Sequence, residues 1–321
     1  MSGSKLTFSN MSLNRSSAQR KDDHWLANHL STTNTLLIPI WRDKYLFDNN
    51  ELVTFLTNEQ HASKLIECSS ERLFLGIDDQ QAVYVLNFSS LSLEEVSQLF
   101  KHGTEYLDLR SMLGDLTAKQ ASILAYGKSL SYWHDGHQHC GSCGHKSASH
   151  DGGHMRKCLN EACAREHFPR TDPVVIMLVE HQGEQGPAMC LLAQHHRLPQ
   201  KVVSTLAGFV DPGESLEEAV AREVFEEAGV VVDTVEYMVS QPWPFPGSLM
   251  IGFLATTSNP TLNIDYDELS GAQWFSAEQM STFSNWGDAD DNYQLPRKES
   301  IARFLIDTWL VKQSEKDVTL S

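Results

Sequence analysis

The chain has 321 residues, 41% of them hydrophobic, which is enough to bury ordinary cores in two domains, or in two and a small insert, and too much for a disordered protein. Its 42 acidic side chains against 25 basic ones leave a formal net charge of −17, which argues against a broad nucleic-acid or membrane-surface footprint. No run of eighteen apolar residues occurs, the start lacks the basic-then-apolar pattern of a secretory signal, and the terminal Thr-Leu-Ser is not a peroxisomal address, so a cytoplasmic chain without transmembrane helices is expected.

Residues 1–24 are polar, and the first ten or so are expected to be loose. Within them stands Leu13-Asn-Arg-Ser-Ser-Ala-Gln-Arg20, followed by Trp25-Leu26. Thr35–Trp41 reads as a strand, with Pro39 arguing for an edge or a bulge. Leu73–Ile77 and Ala82–Leu86 read as two more strands around an Asp-Asp-Gln-Gln turn. Leu93–His102 and Thr117–His134 have the pattern of amphipathic helices. This is a small α+β domain over 1–134 whose His, Asp and Glu residues are scattered, with no catalytic constellation.

Over 135–169 the composition turns to His, Gly and Cys. Cys140-Gly-Ser-Cys143 and Cys158-x4-Cys163 make two thiol pairs fourteen residues apart, spaced to close a tetrahedral zinc site of the ribbon type. Disulfides and a redox Cys-x-x-Cys are the alternatives; the first is disfavoured in a cytoplasmic chain, and the second leaves the other pair without a purpose. The insert is too short for a core of its own, so metal binding would be most of its folding energy. The seven histidines around it, His134, His137, His139, His145, His150, His154 and His167, read as surface residues. Cys68 and Cys190 read as core thiols.

A third domain is expected over 170–321. After Phe168-Pro-Arg170-Thr-Asp172-Pro173, the run Val174–Val179 signals a buried strand, and Ala188–Ala193, Val202–Leu206 and Val230–Val239 three more. Residues 208–230 form a loop, a short helix and a stop. Gly208, Pro212 and Gly213 punctuate the loop, Ser215 with Glu218 is a capping-box signature, and Gly229 is placed to end the helix. Glu223 and Glu227 lie four apart on one face with Glu226 beside them, a repulsive spacing worth about 0.2–0.5 kcal/mol per pair. Arg222 can pair with Glu218 and Glu226, but the Glu223/Glu227 pair gets no basic partner from within the helix. Converging hard oxygen ligands without a nearby lysine suit Mg²⁺ or Mn²⁺; the alternative is a solvated acidic face.

Ser240-Gln241-Pro-Trp243-Pro-Phe245-Pro-Gly-Ser248 follows directly. Its alternating prolines hold the backbone extended and exclude helix. Trp243 and Phe245 would project from it, either toward a flat heteroaromatic ring or into the core.

The stretch Gly208-x5-Glu214-x7-Arg222-Glu223-Val-Phe-Glu226-Glu227-Ala-Gly229-Val230 resembles the Nudix box at every fixed position. With the four cysteines before it, the Ser-Gln-Pro-Trp-Pro-Phe-Pro-x-Ser loop after it, and Leu13–Arg20 resembling the start of the family's amino-terminal domain, the chain resembles the NADH pyrophosphatase branch of Nudix hydrolases over nearly its whole length. The resemblance implies an α/β/α sandwich, a structural zinc and a homodimer. It also implies hydrolysis of the NADH or NAD⁺ diphosphate into AMP and nicotinamide mononucleotide, in some members on NAD-capped RNA. By that match Glu223, Glu226 and Glu227 hold the divalent ions while Glu214 and Arg222 brace the loop. Glu268 is the downstream carboxylate, and Phe209 stacks on nicotinamide. Gln241, Trp243, Phe245, Ser248 and a backbone contact at Ala302 complete the substrate site, with Phe168 standing where members often carry Tyr. Glu227 or Glu268 would take the proton from the attacking water. The rivals are a Nudix hydrolase of another dinucleotide or of ADP-ribose, and a catalytically dead nucleotide-binding regulator.

Overall fold

A computed structural model describes residues 6–32, 34–183, 186–289 and 292–320. Two compact units emerge, one of Phe8–Thr171 with Trp243–Gly247, the other of Met1–Thr7, Asp172–Pro242 and Ser248–Ser321. The loose start expected over residues 1–10 falls partly on 1–5, outside the described residues. From there on it needs correction, because Leu6 and Phe8 are both buried in apolar clusters.

The first unit begins with helix α1 (Asp23–Thr32), strands β1 (Leu36–Trp41), β2 (Lys44–Asp48), β3 (Glu51–Leu52) and β4 (Phe55–Leu56), and helix α2 (Ala62–Cys68). It continues with β5 (Glu71–Asp78), β6 (Gln81–Asn87), α3 (Leu93–Ser97), β7 (Glu105–Asp108) and α4 (Ala118–Gly136). Its sheet runs β3-β2-β1-β6-β5, with β4 on β1 and β7 on β2. Alternate residues of the strands feed two cores. Ile38, Ile40, Val83 and Val85 pack with Ala121, Leu124 and Leu130 of α4, while Leu37, Tyr84 and Leu86 pack with Leu65 of α2 and Val96 of α3. Period-2 alternation with both faces covered makes this a layered α+β domain.

Two expectations change here. Pro39 is not on an edge strand: β1 is interior, and Pro39 pairs with Leu86 on its parallel side. On the other side it falls between the pairings of β4, which end at Leu37, and those of β2, which begin at Ile40, so no ladder bond is asked of its missing N–H. The helix expected over Leu93–His102 stops at Ser97. Ser92 and Glu95 cap its start reciprocally, but Leu99 and Phe100 turn inward to the core.

The cysteine segment continues this unit with β8 (Ser147–His150), β9 (Met155–Cys158) and β10 (Glu166–His167), in order β10-β9-β8. Its buried Arg156 binds Ser147, Gln138, the His134 ring and Glu71. His134 Nε2 donates to the Gly153 carbonyl at 2.7 Å. The reading of all seven histidines as surface residues therefore fails at His134, which is fully buried, and at His154, whose ring is tied to Tyr126.

The second unit contains β11 (Asp172–His181), β12 (Met189–His195), β13 (Leu206–Phe209), α5 (Leu216–Ala228), β14 (Thr234–Trp243, its last residue in the first unit), β15 (Ser248–Thr257), β16 (Leu269–Ser276), α6 (Ala277–Met280) and α7 (Ile301–Leu320). The sheet order is β14-β15-β11-β12-β16, with β13 on β11. β11 splits its side chains between two cores. Val175, Met177 and Val179 meet Ala219, Val220, Val224 and Ala228 of α5, and Ile176 and Leu178 meet Ile301, Leu305, Ile306 and Trp309 of α7. A central strand apolar on both faces, with a helix on each side, is the α/β/α sandwich expected.

Two strand positions shift. The strand placed at Val202–Leu206 is formed instead by Leu206–Phe209, because Val202 and Ser204 are used as single bridges to Gln294 and Ala193. The strand placed at Val230–Val239 starts at Thr234 and runs through Gln241 to Trp243. Among the described residues, no helix is long and apolar enough to cross a membrane.

Candidate active site

The helix at 216–228 forms for the reasons its sequence supplies. Ser215 accepts from the Glu218 N–H while Glu218 reaches back to the Ser215 N–H, and Gly229 ends the helix at φ 69. A side chain at Gly229 would run into the Asn263 backbone and Cβ, so the left-handed turn and the close approach both require glycine.

Arg222 organises the preceding loop. Its guanidinium binds both Glu214 oxygens at 2.6 and 3.0 Å, the Phe209 carbonyl at 2.9 Å, and Glu223 and Glu226 at 2.9 Å each. Glu214 in turn accepts the Asp211 N–H at 2.7 Å. One planar fork thus ties loop to helix, which a lysine's point charge could not do. Two details of the sequence reading are corrected. Glu218 is used in the cap rather than by Arg222, and Glu223 does have a basic partner in its own helix, its immediate neighbour.

Glu223 and Glu227 point inward and are 9% and 4% exposed, whereas Glu226 stays largely in solvent. The Glu223 carboxyl occupies the space beside Gly208, where an added Cβ would lie 1.8 Å from its carbon. Burial raises the Glu223 pKa, and Arg222 only partly offsets it. Glu227 is pushed further, to about 8, by burial first and then by the charges of Glu223 and Glu268. Its Oε2 is buried with no hydrogen-bond partner. Such an orphan acceptor costs about 1–3 kcal/mol unless something fills its demand.

Glu268 lies on an exposed loop fixed to the end of α5 by the Asp265 N–H on the Glu227 carbonyl at 3.0 Å and the Asn263 N–H on the Ala228 carbonyl at 2.8 Å. Sequence reasoning missed two neighbours of this loop. His196 Nε2 lies 3.0 Å from the Tyr266 carbonyl, and the Arg197 charge is felt by Glu227. The available signal was the basic cluster His195-His196-Arg197 in an acidic chain.

A buried acidic oxygen without a partner, a glycine-lined wall and an all-carboxylate donor set fit a hard divalent cation. No three of these carboxylates close to within 4.8 Å of one another among the described residues; only the four cysteine sulfurs do. Cys140 and Cys163 are 3.8 Å apart and Cys143 and Cys158 are 3.4 Å apart, a set suited to one tetrahedral zinc. His167 Nε2 sits 3.3 Å from the Cys140 sulfur.

The remaining residues singled out from sequence belong to both units. Phe209 is exposed in the second unit and Phe168 in the first. Trp243 and Phe245 pack edge to face with each other and with Phe8, and the Arg110 guanidinium lies 4.2 Å from the Phe245 ring centre. Gln241 faces the interior. Its side chain is wholly buried, donating to the Thr7 and Glu299 carbonyls at 3.0 and 2.8 Å and accepting the Ile301 N–H at 2.8 Å. Ala302 is buried at the start of α7, and Ser248 is half-buried.

Residues 169–297 match the family model of the NUDIX domain, and residues 34–133 match that of the NADH pyrophosphatase-like rudimentary NUDIX domain. The human protein named NAD-capped RNA hydrolase NUDT12 is 36% identical over 241 residues, which cover 73% of this chain and 51% of that protein. The protein of the same name from Macaca fascicularis is 31% identical over 342 residues, covering 94% of this chain and 73% of that one. Human NAD(P)H pyrophosphatase NUDT13, mitochondrial, is 34% identical over 267 residues, covering 78% and 72%. The match to human NUDT12 thus spans about half the length of that relative. The chain belongs to the NADH pyrophosphatase (NAD-capped RNA hydrolase) family of Nudix hydrolases.

Proposed function

We propose that this chain hydrolyses the diphosphate of NADH or NAD⁺ into AMP and nicotinamide mononucleotide, and removes NAD caps from RNA 5′ ends by the same chemistry. The observation that carries this is the inward-facing Glu223/Glu227 pair, with its orphan oxygen, on a loop and helix locked by Arg222. The printed activities of the relatives, NAD-capped RNA hydrolase and NAD(P)H pyrophosphatase, point the same way.

Glu223, Glu226, Glu227 and Glu268 would hold Mg²⁺ or Mn²⁺, which when bound neutralises phosphate oxygens and activates water. Water adds to one phosphorus, the bridging P–O bond breaks, and the water's proton passes to a carboxylate. Glu227, whose pKa of about 8 would have to be lowered by the charge of the bound cation before it could accept a proton, and Glu268, exposed beside it, are the two candidates. Phe168, Phe209, Gln241, Trp243, Phe245, Ser248 and the Ala302 backbone remain the proposed substrate contacts.

We further propose a structural zinc on Cys140, Cys143, Cys158 and Cys163, a division into 1–134, 135–169 and 170–321, and a cytoplasmic homodimer. Elemental analysis giving about one zinc per chain, lost on Cys143→Ser, tests the first of these. For the activity, the protein is incubated with Mn²⁺ and NADH, NAD⁺, ADP-ribose or NAD-capped RNA, and the products are identified. AMP and nicotinamide mononucleotide from NADH support the reading. Cleavage of ADP-ribose alone, or of nothing, contradicts it.

A further inference from the structure

We propose that Arg15, Arg20, Tyr126 and His154 form an oxyanion site in the first unit, suited to a phosphate group. The segment carrying the arginines is pinned to β5, since Asn14 and Ile77 exchange backbone hydrogen bonds of 2.9 and 2.8 Å. The Arg15 guanidinium carbon stands 4.1 Å from the Tyr126 ring centre. Arg20, on the short turn Gln19–Lys21, lies against the 151–153 turn, its Cβ 3.6 Å from where a Cβ on Gly152 would be. The charges of both arginines are felt by the Tyr126 hydroxyl.

The Tyr126 hydroxyl is hydrogen-bonded to His154 Nε2, and burial keeps it a phenol despite the arginines. His154 Nδ1 is 3.1 Å from the Asp151 carbonyl, which can only accept; Nδ1 therefore donates, and Nε2 takes the phenol proton. Burial, and after it the Arg20 charge, push His154 down to about 4, so the ring is neutral. Among the described residues neither arginine has a carboxylate within 4.0 Å, and the buried Arg20 Nε has no partner at all.

Two guanidinium ions beside one neutral phenol repel each other, with the exposed Arg15 screened by solvent and Arg20 half-buried. The buried Arg20 Nε–H is left unspent, and the exposed Arg15 fork makes no ion pair among the described residues. In a chain of net charge −17, the acidic residues nearby, Asp22, Asp23 and Asp151, form no ion pair with either arginine among the described residues. An oxyanion removes the repulsion and fills the donors, and two planar forks match the several oxygens of a phosphate better than the two of a carboxylate. Free phosphate and the phosphodiesters of a polynucleotide share that chemistry.

The test uses the full-length, zinc-loaded protein without added Mg²⁺ or Mn²⁺. Sodium phosphate, and separately a short oligoribonucleotide with hydroxyl ends, are titrated at constant ionic strength while the His154 ring resonances and the binding heat are followed. Saturable binding that shifts His154, weakens about tenfold or more in Arg15→Gln/Arg20→Gln and returns in part with Arg15→Lys/Arg20→Lys supports the site. A response to the oligonucleotide alone supports it with a polynucleotide as the source. Binding indifferent to the double substitution, or an unmoved His154 with both probes at about 10 mM, overturns it. Should the glutamine variant fail to fold, the wild-type His154 titration decides by itself.

Discussion

Gly208 sets where the Glu223 carboxyl can sit, because the space a methyl group would take is filled by that carboxyl. The clash falls on the end of a flexible side chain, so Gly208→Ala should fold and swing Glu223 aside. Manganese affinity measured by electron spin resonance is expected to fall about tenfold or more, with an unfolding midpoint within a few degrees of wild type. Unchanged affinity would mean that Glu223 does not help to hold the ion. Glu227 gives a pH signature. Its folded pKa of about 8 lies above the ordinary 4.5, so between those values the folded chain binds more protons than the unfolded one. Stability without added divalent ions should therefore decline as pH rises through that window, and Glu227→Gln should remove the decline and gain roughly 4 kcal/mol at pH 8. Urea unfolding at several pH values reads both. A wild type flat between pH 5 and 8 would refute the burial argument.

At the scale of elements, the carboxylate helix was the most legible part of the sequence, because its caps and apolar stripe are local signals that survive folding. Arg222 was only half legible. Its reach to Glu214 and to the Phe209 carbonyl depends on a loop that doubles back, and spacing within a helix says nothing of that. Gln241 was illegible in principle: its partners are residues 7, 299 and 301, and only the folded chain brings them to it. The buried Arg156, His134 and Glu71 were missed for the same reason, since Glu71 lies 85 residues from Arg156. Burial opposes the Glu71 charge, but His134 and Arg156 outweigh it and hold its pKa down at about 2. That stabilisation is complete above the ordinary 4.5 and is lost as pH falls toward 2, about 3 kcal/mol in all. Glu71→Ala strands a buried guanidinium and should cost about 3–5 kcal/mol at neutral pH. A loss below about 1 kcal/mol would mean water reaches Arg156.

Over the whole molecule, each unit is a sheet with helices on both faces, yet only the second carries the acidic box. The α+β make-up of the first unit was readable from its strand and helix patterns, whereas the sandwich of the second was expected from the resemblance of its glutamate box to the Nudix family. Strand starts slipped by four residues, from 202 to 206 where Val202 and Ser204 served as single bridges instead of ladder members, and from 230 to 234. The account depends on the glutamates of one unit cleaving a dinucleotide at its diphosphate. The most direct test is a time course of NADH with Mn²⁺, products resolved by chromatography and mass, for wild type and Glu227→Gln. AMP and reduced nicotinamide mononucleotide should accumulate with the metal and not without it, and the variant should be slower by about 10²-fold or more. Intact NADH with the wild type, or a variant within a few-fold of it, would contradict the account.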